Sequence, residues 1–243
     1  MARLARNLPA SGLHRRRWSG ALAGLLLGMG LAGATWAEPV RLDTHTKTLP
    51  PLALPEQWQA RKIDPIFGSG EIYFFQFVNN GPDEQYIHLR SGRNNSFSVG
   101  HELRFRLQQY PELSWEWRIT QLPKDGDVRI LEQDDQAGSM CVIVDPGLIG
   151  FKSLCYIWEN DGPIDLPLTS RKRDDSKYII LRTGKAPPFG DWVAERRNML
   201  QDYQLAFGEA PKEEAIIGMQ IDSNSTRSVS EAFYRRIVLY RAK

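Results

Sequence analysis

The chain is short of cysteine, of histidine and of any excess charge. Of 243 residues two are Cys and four are His, and 31 basic side chains balance 29 acidic ones. Cys141 and Cys155 lack the CxxC spacing of a zinc or redox motif. His45, His88 and His101 form neither HxH nor HExxH, so the usual zinc ligand sets are missing. Also missing are GxSxG, a phosphate-binding glycine loop and GxGxxG, which leaves no linear mark of a serine hydrolase or a nucleotide site. Five basic and no acidic residues lie within positions 1–37. The remaining 206 positions therefore hold 26 basic against 29 acidic residues, a formal charge of −3. Such a near-neutral body has no electrostatic case for binding nucleic acid.

Long apolar runs are scarce as well. The stretch Ser19–Ala34 is rich in Leu and Ala but interrupted by glycines from Gly20 to Gly33. It is shorter than the ~20 residues needed to span a bilayer. Arg3, Arg6 and Arg15 to Arg17 precede it, and Thr35-Trp36-Ala37 places small residues at the −3 and −1 positions of a cleavage site. That is the signature of a signal peptide over residues 1–37. The expectation is a periplasmic or secreted protein with no membrane anchor after cleavage.

What is present is ordinary globular material, 42% hydrophobic, 10% aromatic and 25% charged. Residues 38–69 contain five prolines and little periodicity, and read as an extended lead-in with Trp58 tucked onto the domain. Beyond it, alternation predicts strands at 71–78, 86–90, 101–108, 113–119, 139–145, 153–159, 178–183, 215–222 and 232–241. One helix is expected at 193–207, stopped by Gly208. Nine strands and one helix suggest a single mainly β domain over 70–243, an antiparallel two-sheet sandwich of jelly-roll type. A hairpin centred on Leu148 sets Cys141 opposite Cys155, a pairing that an oxidising compartment would turn into a disulfide.

Period two also sorts the candidate site residues. Leu113, Trp115, Trp117 and Ile119 share one face and read as core, which puts Glu116 and Arg118 on the opposite face within reach of a ligand. Asp134 and Asp135 stand before a strong strand and carry the carboxylate chemistry of general acid–base work, although neighbours on an extended chain point to opposite sides. Trp158, at a strand end, offers a flat surface for stacking. Asp222 and Asn224 begin an oxygen-rich run through Thr226 that would suit calcium, or simply a turn. No other cofactor is expected.

Ordered motifs extend the reading. They include Leu113 to Arg118, Leu122-Pro123, Asp127 to Arg129, Asp134 to Ala137, Tyr156-Ile157-Trp158, Trp192 with Glu195 and Arg197, Asp202-Tyr203, Phe207 to Glu209, and Ile217 to Met219 with Asp222. This set resembles the exported bacterial family filed as domain of unknown function three-thousand-forty-seven. The resemblance runs from about Trp58 to the end. It implies a sandwich like those of carbohydrate-binding modules and galactose-binding-like domains, brings no established activity, and adds Arg197 and Asp202 to the candidate binding set. Family members tend to carry Asp-Thr-Asp-Asn-Thr where this chain has Asp222 to Thr226, and Gly-Asp where it has Arg235-Arg236. The functional expectation is a non-catalytic binder of glycan or another cell-envelope polymer. Alternatives are a polysaccharide lyase or hydrolase using carboxylates and arginine, and a structural envelope protein acting through protein contacts.

Overall fold

The computed structural model describes residues 38–62, 72–144 and 151–242. Two sheets face each other. The first contains β1 (Val40–Arg41), β3 (Phe74–Asn79), β4 (Gln85–Ser91), β6 (Glu112–Gln121), β11 (Val193–Asn198) and β13 (Ser230–Tyr240). Its order is β11-β6-β13-β4-β3, with β1 beside the far half of β13. The second contains β2 (Trp58–Lys62), β5 (Ser96–His101), β7 (Gly138–Val144), β8 (Lys152–Glu159), β9 (Pro167–Thr169), β10 (Ser176–Thr183) and β12 (Ala215–Asp222), in the order β2-β5-β12-β7-β8-β10-β9. The chain switches repeatedly between sheets, which gives the jelly-roll-type sandwich. All pairs are antiparallel except β8 with β10.

Alternation builds the core. Trp115 and Trp117 of β6 point inward and meet Tyr156 and Trp158 of β8 from the facing sheet. Trp115 stacks on Tyr156 at 5.4 Å, and Trp117 lies 5.8 Å from Trp158. Phe75, Phe77, Ile87, Leu89, Met140 and Ile217 fill the space around them. A smaller cluster lies on the outer side of the second sheet, where Val128 covers Ile157, Tyr178, Ile180 and the disulfide Cys141–Cys155. The register sets Cys141 directly across from Cys155. The centre of that hairpin, residues 145–150, lies outside the described residues.

Three sequence expectations change. The lead-in contributes strands: β1 extends the first sheet and β2 the second, with Trp58 buried against Phe77 and His101. The strand expected at 101–108 ends at His101 and runs instead from Ser96. Leu103 turns out to solvent and the backbone of Phe105 makes one isolated bridge to Ala215. The inward set of β5 is Phe97, Val99 and His101, separated by Ser98 and Gly100, whose small size weakened the alternation signal. Helix α1 covers Met199–Phe207, the second half of the expected span, because Val193–Asn198 pairs with β6. Cross-strand pairing overrides the helical propensity of Ala194, Glu195 and Arg196. Asn198 then starts the helix by accepting the Gln201 N–H at 3.0 Å, and Gly208 ends it at φ 72°. Among the described residues no helix is long and apolar enough to cross a membrane.

The disulfide joins cysteines 14 positions apart in the sequence. In the chain-entropy account a loop of that size is worth roughly 3 kcal/mol. The paired substitution Cys141→Ala/Cys155→Ala should therefore lower the thermal midpoint by roughly 6–12 °C. Calorimetry showing the same midpoint for wild type and variant would deny the bridge a role in stability.

Candidate functional site

The outer face of the first sheet is where the accessible chemistry collects. Period two in β6 puts Ser114, Glu116, Arg118 and Thr120 there. Across the sheet Arg118 stands opposite Phe233 of β13, Phe233 opposite His88 of β4, and His88 opposite Gln76 of β3. Phe233 and His88 stack at 4.2 Å, with Phe74 edge-on to His88 at 4.9 Å and Tyr86 edge-on to Phe233 at 5.9 Å. Trp192, which leads into β11, closes the row. The Arg118 guanidinium lies 4.3 Å from the Phe233 ring centre and 5.2 Å from that of Trp192, while Arg235 lies 4.1 Å over Trp192.

A local distortion places two arginines beside this row. The register of β13 shifts between Arg235 and Val238, and Arg236 takes φ 52°. A regular strand would send neighbouring side chains to opposite faces; here both reach Glu116. Arg235 Nε donates to Oε2 and Arg236 donates to Oε1, each at 2.7 Å. Asp43 secures the bulge from the lead-in. Its buried carboxylate accepts the Arg236 N–H at 2.7 Å and the Ile237 N–H at 3.0 Å, while the Leu42 N–H donates to the Ile237 carbonyl. Beside Glu116 the surface dips into an open depression of about 350 Å³, lined by residues that include Arg41, Ser114, Ala194, Arg236 and Tyr240. Arg196 lies 4.1 Å over the Tyr240 ring.

Titration follows from these contacts. Partial burial disfavours charge on Glu116, but the hydrogen bonds and charges of Arg236 and Arg235 outweigh it and hold the carboxyl below its ordinary range. Burial likewise opposes ionisation of Glu231, yet hydrogen bonds from Thr120 and His88 leave it lowered. His88 is pushed down by burial against the pull of Glu231, which keeps its imidazole neutral near pH 7.

The other sequence candidates are placed elsewhere. Trp158 is a core residue, 1% exposed, whose indole N–H donates to the Gly184 carbonyl. Its position at the strand end suggested a ligand face, but period two from Tyr156 turns it inward. Asp134 and Asp135 are buried beneath the loop that follows β12. Asp135 accepts the Ser225 N–H and both the N–H and hydroxyl of Thr226, so it anchors that loop rather than facing a ligand. Asp134 accepts from Gln136, and its backbone carbonyl accepts from Lys172, whose ammonium also donates to Ser225. Asp222 is buried, and its carboxylate accepts the Asn224 N–H at 3.2 Å; Asn224 in turn accepts from Ser225. Among the described residues no three His, Cys, Asp or Glu side chains gather as metal ligands. Arg197 and Asp202 form a two-pronged pair at 2.9 Å, to which the Tyr156 hydroxyl donates. That pair ties the start of α1 to the facing sheet at the edge of the core.

Sequence reading named Glu116 and Arg118 for this face but missed Phe233, His88, Tyr86 and Trp192. The strand at 232–241 was visible, yet Phe233 is apolar beside inward Ala232 and Tyr234, which blurs its two faces. Arg235-Arg236 stood out as a departure from the family pattern, though nothing in it announced a bulge.

A family model described as "Protein of unknown function (DUF3047)" matches residues 57–238. The chain belongs to this family. No curated protein matches the chain. Solved structures of similar shape include the xyloglucanase domain of NopAA from Sinorhizobium fredii, 10% identical over 79% of this chain and 96% of that one, at a TM-score of 0.44. The catalytic domain of Humicola grisea Cel12A is 9% identical over 82% and 97%, at 0.40. A family 11 carbohydrate-binding module of Clostridium thermocellum is 6% identical over 84% and 95%, at 0.34. Likenesses at these scores assign neither ligand nor reaction to the family member described here.

The buried acids give a pH signature. Burial raises Asp134 to about 6, despite Lys172, and Glu159 to about 8, despite the backbone N–H groups of Asn160 and Val128. Asp222 is also raised by burial. Groups raised on folding hold protons that the unfolded chain releases, so stability is highest below the unfolded carboxyl range and is lost as pH rises through the folded values. The expected loss between pH 5 and pH 8 is on the order of a few kcal/mol. The arginine-paired carboxyls, being lowered, act in the opposite sense only below about pH 4. Glu159→Gln should flatten the upper half of this slope in thermal melts; an unchanged slope would show that Glu159 is ionised in the fold.

Proposed function

We propose that this protein is an exported, non-catalytic glycan-binding module, and that the outer face of the first sheet is its binding surface. The observation that carries the reading is the row of Trp192, Arg118, Phe233 and His88 across the sheet, flanked by the depression at Tyr240. Aromatic rings offer flat apolar surface to the C–H faces of sugars, and guanidinium and carboxylate groups supply hydrogen bonds to hydroxyls.

The state of the acids favours binding over catalysis. A glycosidase needs one carboxyl kept protonated beside the scissile bond and a second placed across from it. On this face Glu116 and Glu231 are both lowered and occupied by donors. The raised carboxyls, Asp134 and Glu159, are each 1% exposed.

The test is retention of the purified protein on a panel of bacterial and plant polysaccharides, scored together with release of reducing or unsaturated ends. Retention without release is expected. Trp192→Ala and Tyr86→Ala should each weaken retention, Trp192→Ala by roughly tenfold, while the thermal midpoint stays near wild type. Release of ends would make the protein an enzyme, and retention indifferent to both substitutions would move the surface elsewhere.

A further inference from the structure

Arginines on this face are not equivalent. Arg41 reaches Asp43, Arg196 reaches Glu112, and Arg235 and Arg236 both reach Glu116. Among the described residues Arg118 pairs with no carboxylate. It is half-buried, its guanidinium lies against the rings of Phe233 and Trp192, and its Nε is buried with no acceptor among the described residues. A guanidinium flanked by rings is attracted to their faces, but ring contact supplies no counter-charge and no hydrogen-bond acceptor. Leaving such a charge half-desolvated costs free energy that a bound anion would recover.

Ring contact restrains the guanidinium, so its terminal N–H groups can meet a paired-oxygen anion with little loss of rotamer entropy. A carboxylate presents such a pair of oxygens, and phosphate or sulfate groups fit the same fork. The partly exposed rings of Trp192 and Tyr86, 6.3 Å apart, provide apolar surface for the sugar that carries it, while Phe233 is buried beneath Arg118 and His88. The carboxylates of Glu116 and Glu231 on this face are already committed to Arg235, Arg236, Thr120 and His88.

We infer that Arg118 is the anchor for a carboxylate on the bound glycan, so that the ligand is an acidic polysaccharide containing uronic acid residues. This inference rests on the glycan-binding reading and adds the ligand's charge to it. The experiment uses the full chain and three probes, namely polygalacturonate, the same polymer with its carboxylates reduced to alcohols, and a neutral β-glucan. Affinity is measured by titration at low and moderate salt, for wild type, Arg118→Met and Arg118→Lys, with thermal melts confirming that each variant folds.

Polygalacturonate should bind best, with reduction of its carboxylates weakening binding by roughly tenfold or more. Arg118→Met should abolish that preference, so that native and reduced polymer bind the variant equally. Arg118→Lys should lose most of it too, because an ammonium keeps the charge without the fork. Equal binding of native and reduced polymer, or a full preference retained in Arg118→Met or Arg118→Lys, would overturn the carboxylate anchor while leaving the glycan surface standing. Absence of binding to all three probes by the wild type, with the broader panel also negative, would overturn both.

Discussion

Strand β6 carries one constraint on which both core and surface depend: successive side chains of an extended chain must point to opposite sides. Trp115 and Trp117 cannot enter the core without pushing Glu116 and Arg118 to the outside. The two tryptophans hold the sheets together through Tyr156 and Trp158. Because β6 lies between β11 and β13, the same strand sets Glu116 beside Arg235 and Arg118 beside Phe233. A one-residue slip in β6 would bury a glutamate and an arginine and expose two indoles. The register of the surface is therefore protected by the cost of disturbing the core.

Where alternation alone would scatter charge, the bulge in β13 concentrates it. A regular continuation would aim Arg236 into the sandwich, where a guanidinium without a partner is strongly disfavoured. Positive φ at Arg236 turns it outward, and such a conformation for a residue with a Cβ persists only when its surroundings over-determine it. Asp43 supplies that determination by taking both backbone donors freed at the bulge. The proline-rich lead-in is thus part of the site's construction. Its strand β1 occupies the place beside β13 that β4 leaves, and its aspartate holds the arginines that occupy Glu116.

Legibility in the sequence follows the reach of the signals. Pairing of Cys141 with Cys155, the inward tryptophans, the outward Glu116 and Arg118 and the Gly208 stop are all local, and alternation or turn chemistry is enough to find them. Strand β11 was hidden because Ala194, Glu195 and Arg196 are good helix formers, and only pairing with β6 makes them extended. Strand β5 was hidden because Ser98 and Gly100 look like loop residues. The row from Trp192 through Arg118 to His88 joins positions more than one hundred residues apart, and a linear pattern contains no record of such proximity. Asp134 and Asp135 were singled out as candidate carboxylates standing before a strong strand. Whether such an acid faces solvent or supports a loop depends on the segment from Ser223 to Thr226 that closes over it.

Perturbed acids often mark chemistry, and the raised ones described here are buried. Asp134, Glu159 and Asp222 are raised because they are walled in, and their partners are backbone groups and the tethered ammonium of Lys172, all serving to seat loops. The acids that a polymer could touch, Glu116 and Glu231, are lowered because arginines, a threonine and a histidine already serve them. Proton transfer needs a group that is both reachable and poised near the working pH. Here those two properties belong to different residues. What the surface does hold is the partly exposed ring area of Trp192 and Tyr86 and the guanidinium of Arg118, the features on which the proposed binding of a glycan rests.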